Sequence, residues 1–196
     1  MKHLTSVFFG RDPILCAREL IGCRFEVGET AGIIIESEAY TAEGDAACHT
    51  WKRQGARDFV AGHGPGTAYV YLNYGMHWLF NFLVKGGGVD DKHDEARNGF
   101  VLIRALDPVA GIGLMQERRK RMAIGELCNG PAKLTQALGI DVAHHGSNPF
   151  SLEGWTLTSP EGTPEVLVST RIGISQATDY PWRFLLKGSR GVSSRA

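Results

Sequence analysis

The apolar positions change period along the chain, and each change predicts an element. Residues 13–21 (PILCARELI) bring Ile14, Leu15, Leu20 and Ile21 onto one helical stripe, with Pro13 suited to a first turn. Residues 31–40 (AGIIIESEAY) open as a β-branched apolar run and read as a buried strand. From 41 to 66 the chain is polar and glycine-rich without a clear period, which predicts a long loop with some short helix. Two strand-like runs, 67–74 and 77–84, flank Gly75-Met76 and predict a hairpin. Residues 85–99 form a polar connection. A strand at 100–106 (FVLIRAL) is expected to stop at Asp107-Pro108, and a helix to follow over 109–122. Another helix is expected over 129–139, with Pro131 in its first turn and Gly139 at its end. Short strands are expected within WTLTS, EVLVSTRIGI and WRFLLKG towards the end.

Strands and helices do not alternate regularly, so the later strands need not be parallel. Neither a repeat nor a domain linker is visible, and 196 residues suit a single domain. Four cysteines (Cys16, Cys23, Cys48, Cys128) lack CxxC spacing and read as small buried apolar groups in a reducing, cytoplasmic setting. The sequence contains no apolar run of about 18 residues, so no membrane span is expected. A net charge of zero argues against a uniformly basic nucleic-acid binder but leaves room for a local basic face. Lysines and arginines do cluster: Lys52, Arg53 and Arg57; Arg118 to Arg121; and Arg183, Lys187, Arg190 and Arg195.

Candidate chemistry starts at Glu36-Ser37-Glu38-Ala39-Tyr40. On a strand Glu36, Glu38 and Tyr40 share a face, and they stand where the strand enters a loop. Arg104 interrupts an apolar strand and needs a partner if buried; Glu38 is available, and such a pair around a water would hold the water and keep the glutamate charged. In the hairpin, Tyr69, Tyr71 and Asn73 point one way and Val70 and Leu72 the other, while His77, Leu79, Asn81 and Leu83 share a face. Tyrosines beside an asparagine suit a pocket for a flat polar ring. Tyr74, at the tip, could wedge between stacked bases. Asn129-Gly130-Pro131 starts a helix whose free N–H groups, with Lys133, make an anion site. Metal chemistry is not indicated: His49 lacks the zinc-deaminase and HExxH contexts. Gly62-His63-Gly64-Pro65-Gly66 fails the phosphate-loop and dinucleotide patterns and reads as a tight turn.

Seven motifs, in order, carry a resemblance across nearly the whole length: IIESEAY (34–40), AACHT (46–50), PGTAYVYLNYGMHWLFN (65–81), VLIRALDP (101–108), LCNGPAKLTQALGI (127–140), RIGI (171–174), and PWRF with a final GVS. Together they resemble the alkyladenine, or 3-methyladenine, DNA glycosylases of the mammalian type. The resemblance implies a monofunctional enzyme in base excision repair that flips a damaged purine out of duplex DNA and cuts its bond to deoxyribose. Glu38 matches the general base and Arg104 the arginine that places the attacking water. Tyr40, His49 and Tyr71 match the residues that sandwich the flipped base, and the backbone N–H at His49 a donor to it. Asn81 matches the pocket asparagine that clashes with the amino group of normal guanine, Leu102 a pocket neighbour, and Tyr74 and Met76 residues entering the duplex. The implied substrates are 3-methyladenine and 7-methylguanine, with hypoxanthine and ethenoadenine as further candidates. No cofactor, no metal and no lyase lysine is implied. The implied fold is a single α+β domain over residues 1–196, with a curved, mostly antiparallel, open barrel-like sheet, surrounding helices and a protruding hairpin. A monomer on damaged double-stranded DNA, nucleoid-associated in a bacterium, is expected. The chain departs from the family pattern at 57–62 (RDFVAG), where Asp58 is acidic and Ala61-Gly62 is expected to remove bulk beside the pocket. Two rivals are a binding module that probes bases without cutting and a small-nucleoside hydrolase. The first has no use for Glu38 with Arg104, and the second none for Tyr74 at an exposed tip.

Overall fold

The computed structural model describes residues 2–86 and 97–193. Most of the polar connection expected at 85–99, and Arg195, lie outside the described residues. Among the described residues, eight strands build one sheet: β1 (Arg24–Val27), β2 (Thr30–Thr41), β3 (Ala68–Asn73), β4 (His77–Lys85), β5 (Asn98–Ala110), β6 (Trp155–Thr158), β7 (Val166–Ser169) and β8 (Arg183–Leu186). Their order is β3-β4-β5-β2-β1-β6, with β8 pairing β2 and β7, and every pairing among the described strands is antiparallel. The sheet stays open and does not close into a barrel. Five α-helices among the described residues surround it: α1 (Pro13–Glu19), α2 (His49–Lys52), α3 (Gln54–Gly62), α4 (Ile112–Arg119) and α5 (Pro131–Leu138).

Alternation along the strands divides the sheet into two faces. Val70, Phe80, Phe82, Val101, Ile103 and Ala39 point into the main core with residues of α1 and α5. The other face carries Tyr69, Leu83 and Phe100, covered by Ala56, Phe59 and Val60 of α3. Those three residues have helical spacing, so the stretch 41–66 does contain a period; it is short and diluted by glycine, and α2 and α3 together make half of the expected loop helix.

Three other boundaries differ from expectation. Strand β5 runs past Asp107-Pro108 to Ala110: Pro108 pairs with Gly32, and Val109 is passed over as Ala110 pairs with Ala31. There β5 has β2 on one side and no longer pairs β4, so a proline without an N–H is tolerated as on an edge. The helix expected over 109–122 is only α4, ended by Lys120 in a left-handed conformation. Of EVLVSTRIGI, only Val166–Ser169 is strand, because Arg171 turns inward to a buried carboxylate, Asp45. Within the arginine run, Arg118 donates to the Ala137 carbonyl and Arg119 to that of Leu127, so these two tie down neighbouring backbone. The four cysteines are buried thiols, and burial pushes those of Cys16, Cys23 and Cys128 up to about 12.

Candidate active site

Register places the key residues side by side. Glu38 pairs with Leu102, Leu102 with Asn81, and Asn81 with Tyr69, a row across β2, β5, β4 and β3 on the α3 face. Tyr40 and Phe100 pair one step along. A cleft of about 400 Å³ opens over this row, lined by Tyr40, His49, Tyr71, Asn81, Leu102 and Arg104, among others. Arg104 sits on a bulge: Ser37 pairs with Ile103 and Glu36 with Ala105, so Arg104 is the extra residue of β5. Bulges re-aim side chains, and here the guanidinium meets two carboxylates.

Its Nη1 lies 3.1 Å from Glu38 Oε2 and its Nε 3.0 Å from Glu36 Oε1. Glu36 also accepts from Arg183 Nε at 2.8 Å. Among the described residues, two carboxylates therefore face two guanidiniums in a buried cluster. Glu38 accepts from three donors: Arg104 Nη1, the Tyr40 hydroxyl at 2.7 Å, and the Ile172 backbone N–H at 2.9 Å. Glu38 has no exposed surface; Tyr40, Arg104 and Ile172, which line the cleft, cover it. An exposed polar strand end is thereby ruled out for this pair. Burial and the neighbouring Glu38 raise the Tyr40 phenol well above its usual range, so it stays a donor.

His49 and Tyr71 pack edge to face with ring centroids 4.3 Å apart, which leaves no room for a third ring between them. They make one wall, and Tyr40 belongs to another part of the lining. His49 Nδ1 lies 3.0 Å from the Tyr69 hydroxyl. Tyr69 is buried against Phe59 and Phe100, so the one hairpin tyrosine without an expected role is core and holds the His49 ring. As the first residue of α2, His49 has an N–H that the helix does not use. Asn81 Nδ2 donates to the Tyr69 carbonyl at 3.1 Å, which fixes its amide.

Burial, and then the charge of Arg53, push His49 down to about 4. The folded state therefore favours neutral imidazole. Its stabilising effect is full above the unfolded value near 6.5 and is lost as pH falls through about 4. Compared with a His49→Gln variant, the wild type is expected to lose up to about 3 kcal/mol more stability between pH 6.5 and 4. Urea denaturation at stepped pH reads this, and parallel stability curves would contradict it.

The hairpin tip projects. Tyr74 is 81% and Met76 72% exposed, and Tyr74 and Gly75 both have positive φ (50° and 68°), as type I′ turns require. Helix α5 starts at Gly130 without a side-chain cap, and Lys133 Nζ is drawn to Asn129 Oδ1 at 2.8 Å beside that start. Lys52 and Arg53 line the cleft. The residues 57–62 do not: Asp58 bonds Gln54 on the surface, and Ala61 and Gly62 stand outside the cleft, so they remove no bulk from it.

Sequence reasoning missed one wall. Residues Ile172 to Gln176 line the cleft, held by the fully buried pair of Arg171 with Asp45. RIGI was visible as a motif, but nothing local links it to an aspartate 126 residues away.

The model of the family described as methylpurine-DNA glycosylase matches residues 7–190. A relative from Rhodopseudomonas palustris is 43% identical over 97% of this chain and 90% of its own length. One from Chlorobium luteolum is 42% identical over 98% of this chain and 97% of its own. A third, from Chlorobaculum tepidum, is 40% identical over 98% and 91%. All three bear the provisional name 3-methyladenine DNA glycosylase.

Proposed function

Because the chain belongs to the methylpurine-DNA glycosylase family, we propose that its cleft receives a damaged purine flipped from duplex DNA and that Glu38 and Arg104 direct water at the bond to deoxyribose. The observation that carries this is the state of Glu38, a buried carboxylate beneath a ring-lined cleft, oriented by three donors. A carboxylate offers about four lone-pair positions, and three are occupied. The fourth suits a water. Since Tyr40, Arg104 and Ile172 cover the carboxylate, water reaches it as one of them moves, and Tyr40 is the ring that an entering base would shift.

The base would lie between Tyr40 and the wall of His49 and Tyr71. Flipping costs a few kcal/mol, least for a damaged pair, and stacking on aromatic rings returns about 1–3 kcal/mol. A purine nucleotide methylated at N3 of adenine or N7 of guanine is cationic, so the π-faces favour it. Its charge also weakens the glycosidic bond, which leaves little for the protein beyond a placed water and a carboxylate near the oxocarbenium-like transition state. Neutral His49 adds no like charge. Fixed Asn81 cannot swing away from the amino group of guanine, which disfavours the normal base. The Asn129-Gly130 helix start with Lys133 would take a DNA phosphate.

The test is a set of duplexes each carrying 3-methyladenine, 7-methylguanine, hypoxanthine or ethenoadenine, with released base measured. Release of at least one is expected; release of none sinks the proposal. Tyr74 would fill the gap left by the flipped nucleotide. For Tyr74→Ala, duplex binding is expected to weaken while action on single-stranded substrate changes little. Unchanged duplex affinity would remove the wedge role.

A further inference from the structure

The C-terminal segment returns to the buried cluster. Ser193 N–H donates to Glu36 Oε2 at 2.6 Å and Ser193 Oγ donates to Glu36 Oε1 at 2.8 Å. The same Oγ accepts from Arg104 Nη2 at 3.1 Å and Nε at 3.3 Å. The Arg104 guanidinium is thus held on three edges: Nε by Glu36, Nη1 by Glu38 and Nη2 by Ser193. Of its five N–H groups, one on each terminal nitrogen is left without a partner among the described residues, and the side chain borders the cleft.

The approach of this segment is built in. Ser189 Oγ lies 3.1 Å from Asp107 Oδ2. Gly191 passes so close to the sheet that an added Cβ would stand 2.8 Å from Asp107 Oδ1 and 3.1 Å from Ile35 Cδ1. A side chain at Gly191 would have to push aside the ends of Asp107 and Ile35, and two residues later the serine reaches Arg104. Packing alone does not explain a hydroxyl that donates to one member of an ion pair and accepts from the other.

We infer that residues 189–193 form a strap that sets the pose of Arg104 against Glu38, with Ser193 as a positioning residue for base release. This rests on the glycosylase reading above. Without the hydroxyl, Nη2 loses its acceptor and the guanidinium can turn about its Nε, carrying the two free N–H groups off the water they would hold. Misplacement by about an ångström costs up to roughly a hundredfold in rate.

Single-turnover base release from the best lesion duplex is compared for the wild type, Ser193→Ala, Ser193→Thr and Gly191→Val. The expected result is a loss of roughly tenfold to a hundredfold in Ser193→Ala and Gly191→Val. Lesion-duplex Kd is expected unchanged, Ser193→Ala should melt with the wild type, and Ser193→Thr should restore the rate. A rate in Ser193→Ala within twofold of wild type overturns the strap, as does a loss that threonine fails to rescue. If the wild type releases no base, the glycosylase reading has failed and a second readout decides on the strap. Exchange of the Arg104 Nη N–H groups by rotation about the Nε–Cζ bond, followed by nitrogen NMR, should quicken in Ser193→Ala. Unchanged exchange overturns the strap.

Discussion

Replacing Glu38 with glutamine is expected to lower base release by about a thousandfold or more, while binding to abasic-site duplex stays near wild type. A general base is worth 10²–10⁴-fold by itself. Here the change does more than remove the base. The carboxylate uses Oε1 for the Ile172 N–H and Oε2 for both Arg104 and the Tyr40 hydroxyl. An amide keeps one oxygen, so one of these sets meets an NH₂ group instead of an acceptor. If that set is the Oε2 pair, Arg104 points its charge at a donor; if it is Ile172, the N–H there loses its acceptor. The rings and the hairpin proposed to hold DNA are untouched, hence the retained affinity. Base release by single turnover and binding by titration separate the two. An equal loss of both would mean that Glu38 is structural.

Asp45→Ala is expected to destabilise the protein by about 3–5 kcal/mol, the usual cost of removing one partner of a buried ion pair. Arg171 has no exposed side-chain surface and reaches Asp45 with both terminal nitrogens, at 2.5 and 2.8 Å. Its Nε is already buried without a hydrogen-bond partner among the described residues. Its other bonds go to the carbonyls of Ala39 and Ala177, and the rings of Tyr40, Tyr180 and Trp182 stand around it. Asp45 also accepts from the N–H groups of Thr41 and Ala47, which shapes the turn leading to His49. One substitution therefore strands a charge and loosens both the His49 turn and the Ile172 wall. Adding Arg171→Met should recover part of the loss, because no unpaired charge stays buried. Urea midpoints measure this; a loss below about 1 kcal/mol would show that water reaches the guanidinium.

Elements with a strong local signal were legible in the sequence. Strand β2 was readable from its isoleucines, the hairpin from its alternation, and α5 from proline at one end and glycine at the other. The helix α3 was hard to read because only Ala56, Phe59 and Val60 carry its period. Strand β5 crossed its proline because the sheet leaves one side open there, a fact of pairing that no local residue reports.

The same division holds at the cleft. Local pattern alone says which residues could share a face: Glu36, Glu38 and Tyr40 along one strand, Tyr69 and Tyr71 along another. Strand geometry fixes that alternation wherever the strand lies. It also placed Tyr74 at a tip, since a two-strand turn has nowhere else to put it. What those faces meet depends on how distant segments pack. Register set Glu38 beside Leu102 and Asn81, a bulge turned Arg104 onto two carboxylates, Tyr69 went to core, and residues 126 and 157 positions distant in sequence supplied Arg171 and Ser193. Side-chain period is a property of a few neighbouring residues, whereas hydrogen bonds between distant segments exist only once the whole chain has packed.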